Sequence, residues 1–170
     1  MTQLALGMER QMAPVVEGFR DKVKRLEGAI AETPEVFYGD NEKCPLKHLF
    51  ADGVYVRSIF IPKGMLIVGK IHKHSHPNFL MMGNVSVVTE GGGIERLKAP
   101  HATISPAGTK RVVYAHEDTV WITVHVTDET DLVKIEEQVI AKSYDELDDN
   151  FKAQILEIVK IAEDTCPGSE

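Results

Sequence analysis

Cysteine is nearly missing from this chain: Cys44 and Cys166 are the only two among 170 residues. They stand far apart and in no C-x-x-C arrangement, which argues against a disulfide scaffold and for a reducing, cytoplasmic setting. Neither has a base beside it in sequence to activate the sulfur, so a thiol nucleophile is a remote option. Long apolar runs are missing too. No stretch approaches the roughly 20 residues that a membrane-spanning helix needs. The start, MTQLALGMERQ, lacks the basic region and apolar run of a signal peptide. No membrane partner is expected. Basic residues are outnumbered: 19 Lys and Arg face 26 Asp and Glu, for a formal net charge of -7. Binding a nucleic-acid polymer needs a basic footprint, so that class is not expected either. A small local basic pocket stays open, because focusing depends on local charge. There is no G-x-S-x-G, no Walker loop, no H-E-x-x-H and no dinucleotide glycine pattern.

The chain that remains is ordinary for one globular domain, with 43% apolar and 26% charged residues. Val15, Val16, Phe19, Val23, Leu26 and Ile30 recur at helical spacing, and Thr33-Pro34 ends that run. From about residue 50 the pattern changes to short segments rich in β-branched residues: VYVRSIFIP, MLIVGKIH, FLMM, NVSVVTE, IERLKA, ATIS, KRVVYA and TVWITVHVT. Gly, Pro, Asp and Asn separate them, as between the strands of a sandwich or small barrel. Gly91-Gly92-Gly93 suits a hairpin turn and does not open a helix, so it is no phosphate loop. After Thr127 helical spacing returns at Leu132, Ile135, Val139 and Ile140. Ser143-x-x-Glu146 then reads as a capping box before Leu147, Phe151, Ile155, Ile158 and Ala162, with Cys166-Pro167-Gly168 as the stop. The fold class expected is mainly β with flanking helices. Residues 1–45 form a helix and lead-in, 46–128 a β-barrel, and 129–170 a helical extension, all in one compact domain.

Three of the seven histidines, His72, His74 and His76, stand in GMLIVGKIHKHSHPNFLMMG. The glycines of this stretch carry a resemblance. Gly64-x5-Lys70-x-His72-x3-His76-x6-Gly83 has the spacing of the first cupin motif, G-x5-H-x-H-x3-E-x6-G. Pro106-x-Gly108-x2-Arg111-x3-Ala115 has the spacing of the second, P-x-G-x2-H-x3-N, although Pro100 stands where its glycine is expected. The β unit therefore resembles a cupin, a small jelly-roll barrel. The KIHKHSHPN and DTVWITVH runs are also similar to cupin-like proteins of phage and prophage genomes. In metal-binding cupins three His and one Glu hold a metal. Of those four positions this chain keeps only His72, and Lys70, His76 and Arg111 occupy the others.

Arginine and lysine are poor metal ligands. If the cupin register holds, Lys70, His72, His76 and Arg111 converge as a ring of donors with two fixed positive charges. Such a ring suits a carboxylate or phosphate, with Asn78 and Tyr114 as neutral donors. The reading placed first is a binding module for a small anionic ligand, including a nucleotide-like signal molecule that it sequesters, with no cofactor. The alternatives are a metal-dependent oxygenase, isomerase or lyase that uses a divalent transition metal on His72, His76 and His125, and a metal-free epimerase-like catalyst. A homo-oligomer, most simply a dimer, is expected.

Each of these residues also has a plainer reading. Lys70 can snorkel outward, and Arg111 can pair with Glu90 or Glu95. His74 is expected in solvent, with His48, His101 and His116 at the surface. Trp121 is read as a packing anchor, and Met81 and Met82 as fillers of core gaps. Strand parity puts Leu66, Val68, Lys70 and His72 on one face. It leaves open whether Trp121, Thr123 and His125, or instead Val120, Ile122, Val124 and Val126, face the interior.

Overall fold

Alternation of side chains along the β segments decides the architecture. Successive residues of a strand point to opposite faces, so a strand with one apolar row needs a second layer to cover it. The computed structural model describes residues 18–34, 36–37, 40–90 and 93–147, and shows two such layers. Helix α1 covers 18–31. The strands that follow are β1 (Leu46–Ala51), β2 (Val54–Ile61), β3 (Leu66–Val68), β4 (Ile71–His72), β5 (His76–Met82), β6 (Asn84–Val88), β7 (Ile94–Lys98), β8 (His101–Ser105), β9 (Val112–Ala115) and β10 (Thr119–Val126). Helix α2 (Leu132–Val139) leads into β11 (Ile140–Ala141), and residues 144–147 begin a further helical turn, α3.

One sheet has the order β1-β2-β10-β5-β8 and the other β3-β9-β6-β7, with antiparallel pairing throughout. Among the described residues no ladder joins the two, so they form a two-layer antiparallel sandwich. Ile61, Leu80 and Trp121 from the first sheet meet Val85, Val87, Leu97, Val113 and Ala115 from the second in a single buried core. Eight buried side chains, three from the first layer and five from the second, make that seam the main source of cohesion, at about 2 kcal/mol for each larger apolar side chain buried. No helix of the described residues is long and apolar enough to cross a membrane.

The two outer glycines of the first motif have a steric reason. Gly64 and Gly83 have φ of 84° and 97°, a region closed to most L residues. At Gly83 a Cβ would also lie 2.6 Å from the Asp118 carbonyl oxygen and clash with Thr119 Oγ1. Gly83 is thus the point where β5 turns into β6 against the start of β10.

Several expectations are corrected. The interior face of MLIVGKIH, open from parity alone, is that of Met65 and Ile67, which pack on the core while Leu66 is exposed. Parity does not carry through to His72, because the strand breaks at Gly69-Lys70 between β3 and β4. Met81 and Met82 are exposed, the former at 56%, and fill no core gap. Ile140 belongs to β11, where it pairs with His72, and not to the helix before it. Glu146 does reach back from α3, but to the backbone N–H of Lys142, one residue before Ser143. Val15, Val16, Gly91, Gly92, Phe151, Ile155, Ile158, Ala162 and Cys166 lie outside the described residues.

Candidate metal centre and ligand cavity

On β10 the interior row is the polar one. Thr119, Trp121, Thr123 and His125 are buried, whereas Val126 is 91% exposed, so the aliphatic row faces out. On β5 His76, Asn78 and Leu80 point inward. His72 arrives from β4, which α2 and β11 hold in place through the Ile71–Ala141 and His72–Ile140 pairs. A sequence that spends an inward row on Thr, His and Asn instead of aliphatics gives up packing energy, and this is a common mark of a functional cavity.

Three imidazoles meet there. One nitrogen from each of His72, His76 and His125 lies within 4.8 Å of the others. Ring centroids are 4.1 Å apart for His72 and His76, 4.9 Å for His76 and His125, and 5.2 Å for His72 and His125. His76 Nδ1–H donates to the His74 carbonyl at 3.1 Å, which leaves Nε2 as a bare lone pair. That Nε2 and His72 Nδ1 are both buried without a hydrogen-bond partner. Burial, and then mutual repulsion with the other two rings and with Arg57 and Arg111, pushes His72 down to about 2. Burial first, then His76, Arg57 and His74, holds His125 at about 4. Burial also lowers His76. All three rings are therefore neutral near pH 7, the form that ligates metals. His125 stacks on Tyr55, whose hydroxyl meets His48 Nδ1 at 2.7 Å.

The donor set fits a divalent transition-metal ion. It is neutral, all nitrogen and preorganised, and orphaned buried nitrogens of this kind are otherwise costly. The His76–His74 carbonyl bond is the sort of outer contact that fixes a ligating ring.

Beside the rings lies a cavity of about 110 Å³, lined among others by Arg57, Lys70, Asn78, Arg111, Trp121 and Thr123. Asn78 is 1% exposed and fully engaged: it donates to Ser105 Oγ and accepts from Trp121 Nε1 at 3.1 Å. The Arg111 guanidinium sits 5.6 Å over the Trp121 ring and makes no ion pair with Glu90, whose carboxylate takes Arg20 at 2.9 Å. Trp121 is the packing anchor read from sequence, and it is also a wall of the cavity.

Two members of the expected ring are placed differently. The Lys70 ammonium is at the rim, half exposed, and paired with Glu136 at 2.5 Å. Tyr114 is 40% exposed on the outward face of β9, edge-on to His116. His74 is exposed as expected, and His48, His101 and His116 are partly exposed. The side chain missed in the sequence is Arg57. It is the lone charge in VYVRSIFI, on the same row as Tyr55, Ile59 and Ile61, and that parity was the available signal.

No protein-family model matches this chain, and no curated protein matches it. Solved structures similar to it include KdgF from Halomonas sp., at 17% identity and TM-score 0.47 over 58% of this chain and 93% of that one. An RmlC-like cupin from Shewanella frigidimarina is 18% identical with TM-score 0.45, over 58% of this chain and 96% of its own. A cupin superfamily protein from Desulfitobacterium hafniense is 11% identical with TM-score 0.45, over 55% and 84%. At these values the likeness carries no functional argument.

Proposed function

We propose that this chain is a cupin-type small-molecule protein in which His72, His76 and His125 hold one divalent transition-metal ion beside a cavity for an anionic ligand. The observation that carries the reading is the pair of buried, unpartnered nitrogens, His72 Nδ1 and His76 Nε2, on two of three rings that each bring a nitrogen within 4.8 Å of the others. The cationic cavity wall favours a carboxylate- or phosphate-bearing ligand. Bound there, the ion would supply Lewis-acid polarisation of a ligand oxygen.

Three protein ligands, rather than four, are the pattern of catalytic sites, which keep coordination positions open. That favours a metal-dependent enzyme over the sequestering module placed first from sequence. The metal-free acid–base reading loses ground at His72, because a ring held at about 2 does not take up a proton near neutral pH.

The test is metal analysis of protein purified without a histidine tag, before and after exposure to iron(II), manganese, nickel, cobalt and zinc. One ion per chain is expected, lost in His72→Ala and in His125→Ala. A metal content near zero that none of these ions restores would overturn the proposal.

A further inference from the structure

A second space adjoins the histidine cavity. It is a cleft of about 480 Å³ between α1, the β6–β7 hairpin, β8 and the 106–109 turn. Thr109, Arg111 and Trp121 line both spaces, so these three residues form the partition between them. Arg20 of α1, Glu90, Glu95, His101 and Thr103 line the outer space only. The inner space is small. Its volume of about 110 Å³ is well under the roughly 300 Å³ at which small-molecule pockets begin, so it suits an anionic head and not a whole metabolite. The outer space takes several times more, and its wall mixes both signs of charge with threonine hydroxyls.

The inner wall carries two guanidiniums. Among the described residues neither Arg57 nor Arg111 makes an ion pair or a side-chain hydrogen bond. Glu136 and Asp40 reach Arg57, and Glu95 reaches Arg111, only through the longer-range field. Unpaired guanidiniums on a partly dry wall are costly, and an oxyanion between them relieves that cost in the fork geometry arginine offers.

Resting on the reading of this cavity as the ligand site, we propose that the ligand is an elongated molecule with one carboxylate- or phosphate-class head. Arg57 and Arg111 grip the head in the inner cavity. The polar body lies in the outer cleft, which is also the entrance, with Arg111 and Trp121 as the threshold.

Trp121 is the only tryptophan of the chain and is 7% exposed, so its fluorescence reports who reaches the partition. Iodide and caesium serve as probes of opposite charge at constant ionic strength. Iodide is expected to quench at least about threefold better than caesium, because the local field concentrates anions. Inorganic phosphate should protect against iodide. The preference should fall by half or more in Arg57→Gln and in Arg111→Gln, and return in part in Arg57→Lys. Thr103→Phe, which narrows the outer cleft, should weaken iodide quenching with both arginines intact. Circular dichroism checks that each variant is folded. Equal quenching by the two ions, or an iodide preference unchanged in Arg57→Gln, overturns the inference. Metal content measured on the same samples separates the two proposals, since removing a guanidinium leaves the three nitrogens in place.

Discussion

At the scale of single residues, the site depends on side chains whose neighbours decide their chemistry. His125 is the clearest case. Its position on the last strand was legible from sequence as a third ligand, but the inward row was not, because both rows of TVWITVHV are compatible with a strand. Arg57 was missed for the opposite reason: one charge in an apolar strand reads as a surface exception unless the partner strand is known. The low value of His125, about 4 against an ordinary 6.5, has a consequence for stability. In metal-free protein the unfolded chain takes up a proton on this ring below about pH 6.5 while the folded chain does not. Stability is therefore fully present above that pH and falls as pH drops toward the folded value. From pH 6.5 to pH 5 the loss from this ring alone is about 2 kcal/mol. Urea melts at the two values should show it. His125→Gln should flatten the slope, and an unchanged slope would show that the ring is not held neutral; His72 and His76 add in the same direction beside Arg57 and Arg111.

At the scale of elements, glycine spacing carried the resemblance, and the backbone gives that spacing a cause of its own. Gly83 is fixed by its φ of 97° and by the Asp118 carbonyl, whatever ligands stand nearby. The ligand positions answer only to the chemistry in use. The break in parity along MLIVGKIH has an equally local cause. Gly69 donates its N–H to the Arg111 carbonyl at 2.8 Å, and the strand ends there before β4 begins a new pairing with β11. A short distant partner such as β11 leaves no periodic trace. Gly83→Ala is expected to destabilise the protein by about 2 kcal/mol or more, since strain and clash coincide. The melting temperature should fall by several degrees. A variant as stable as the parent would mean that this turn is free to rearrange, and the steric account of the motif would fail.

At the scale of the whole molecule, the three clustered histidines come from β4, β5 and β10; β5 and β10 are neighbours in the first sheet, whereas β4 lies outside it. The β4 segment is the least supported of the three, with two residues paired to β11. Its bracing comes from the helical side: Lys70 pairs with Glu136, Lys73 with Glu146, and Lys73 also donates to the Glu137 carbonyl. Such half-exposed ion pairs are worth little individually and weaken with salt. A metal held by His72, His76 and His125 would tie β4 to the main sheet far more firmly than these pairs do. Binding to the folded state alone adds stability by mass action, about 2.7 kcal/mol at a free ion concentration 100 times Kd. For a chain of this length that corresponds to a rise in Tm of roughly 5–10 °C. The matching ion should produce that rise in the parent and a chelator should reverse it. His72→Ala should remove the response while melting, without metal, close to the metal-free parent. A rise that survives in His72→Ala would place the ion elsewhere and leave β4 to its ion pairs.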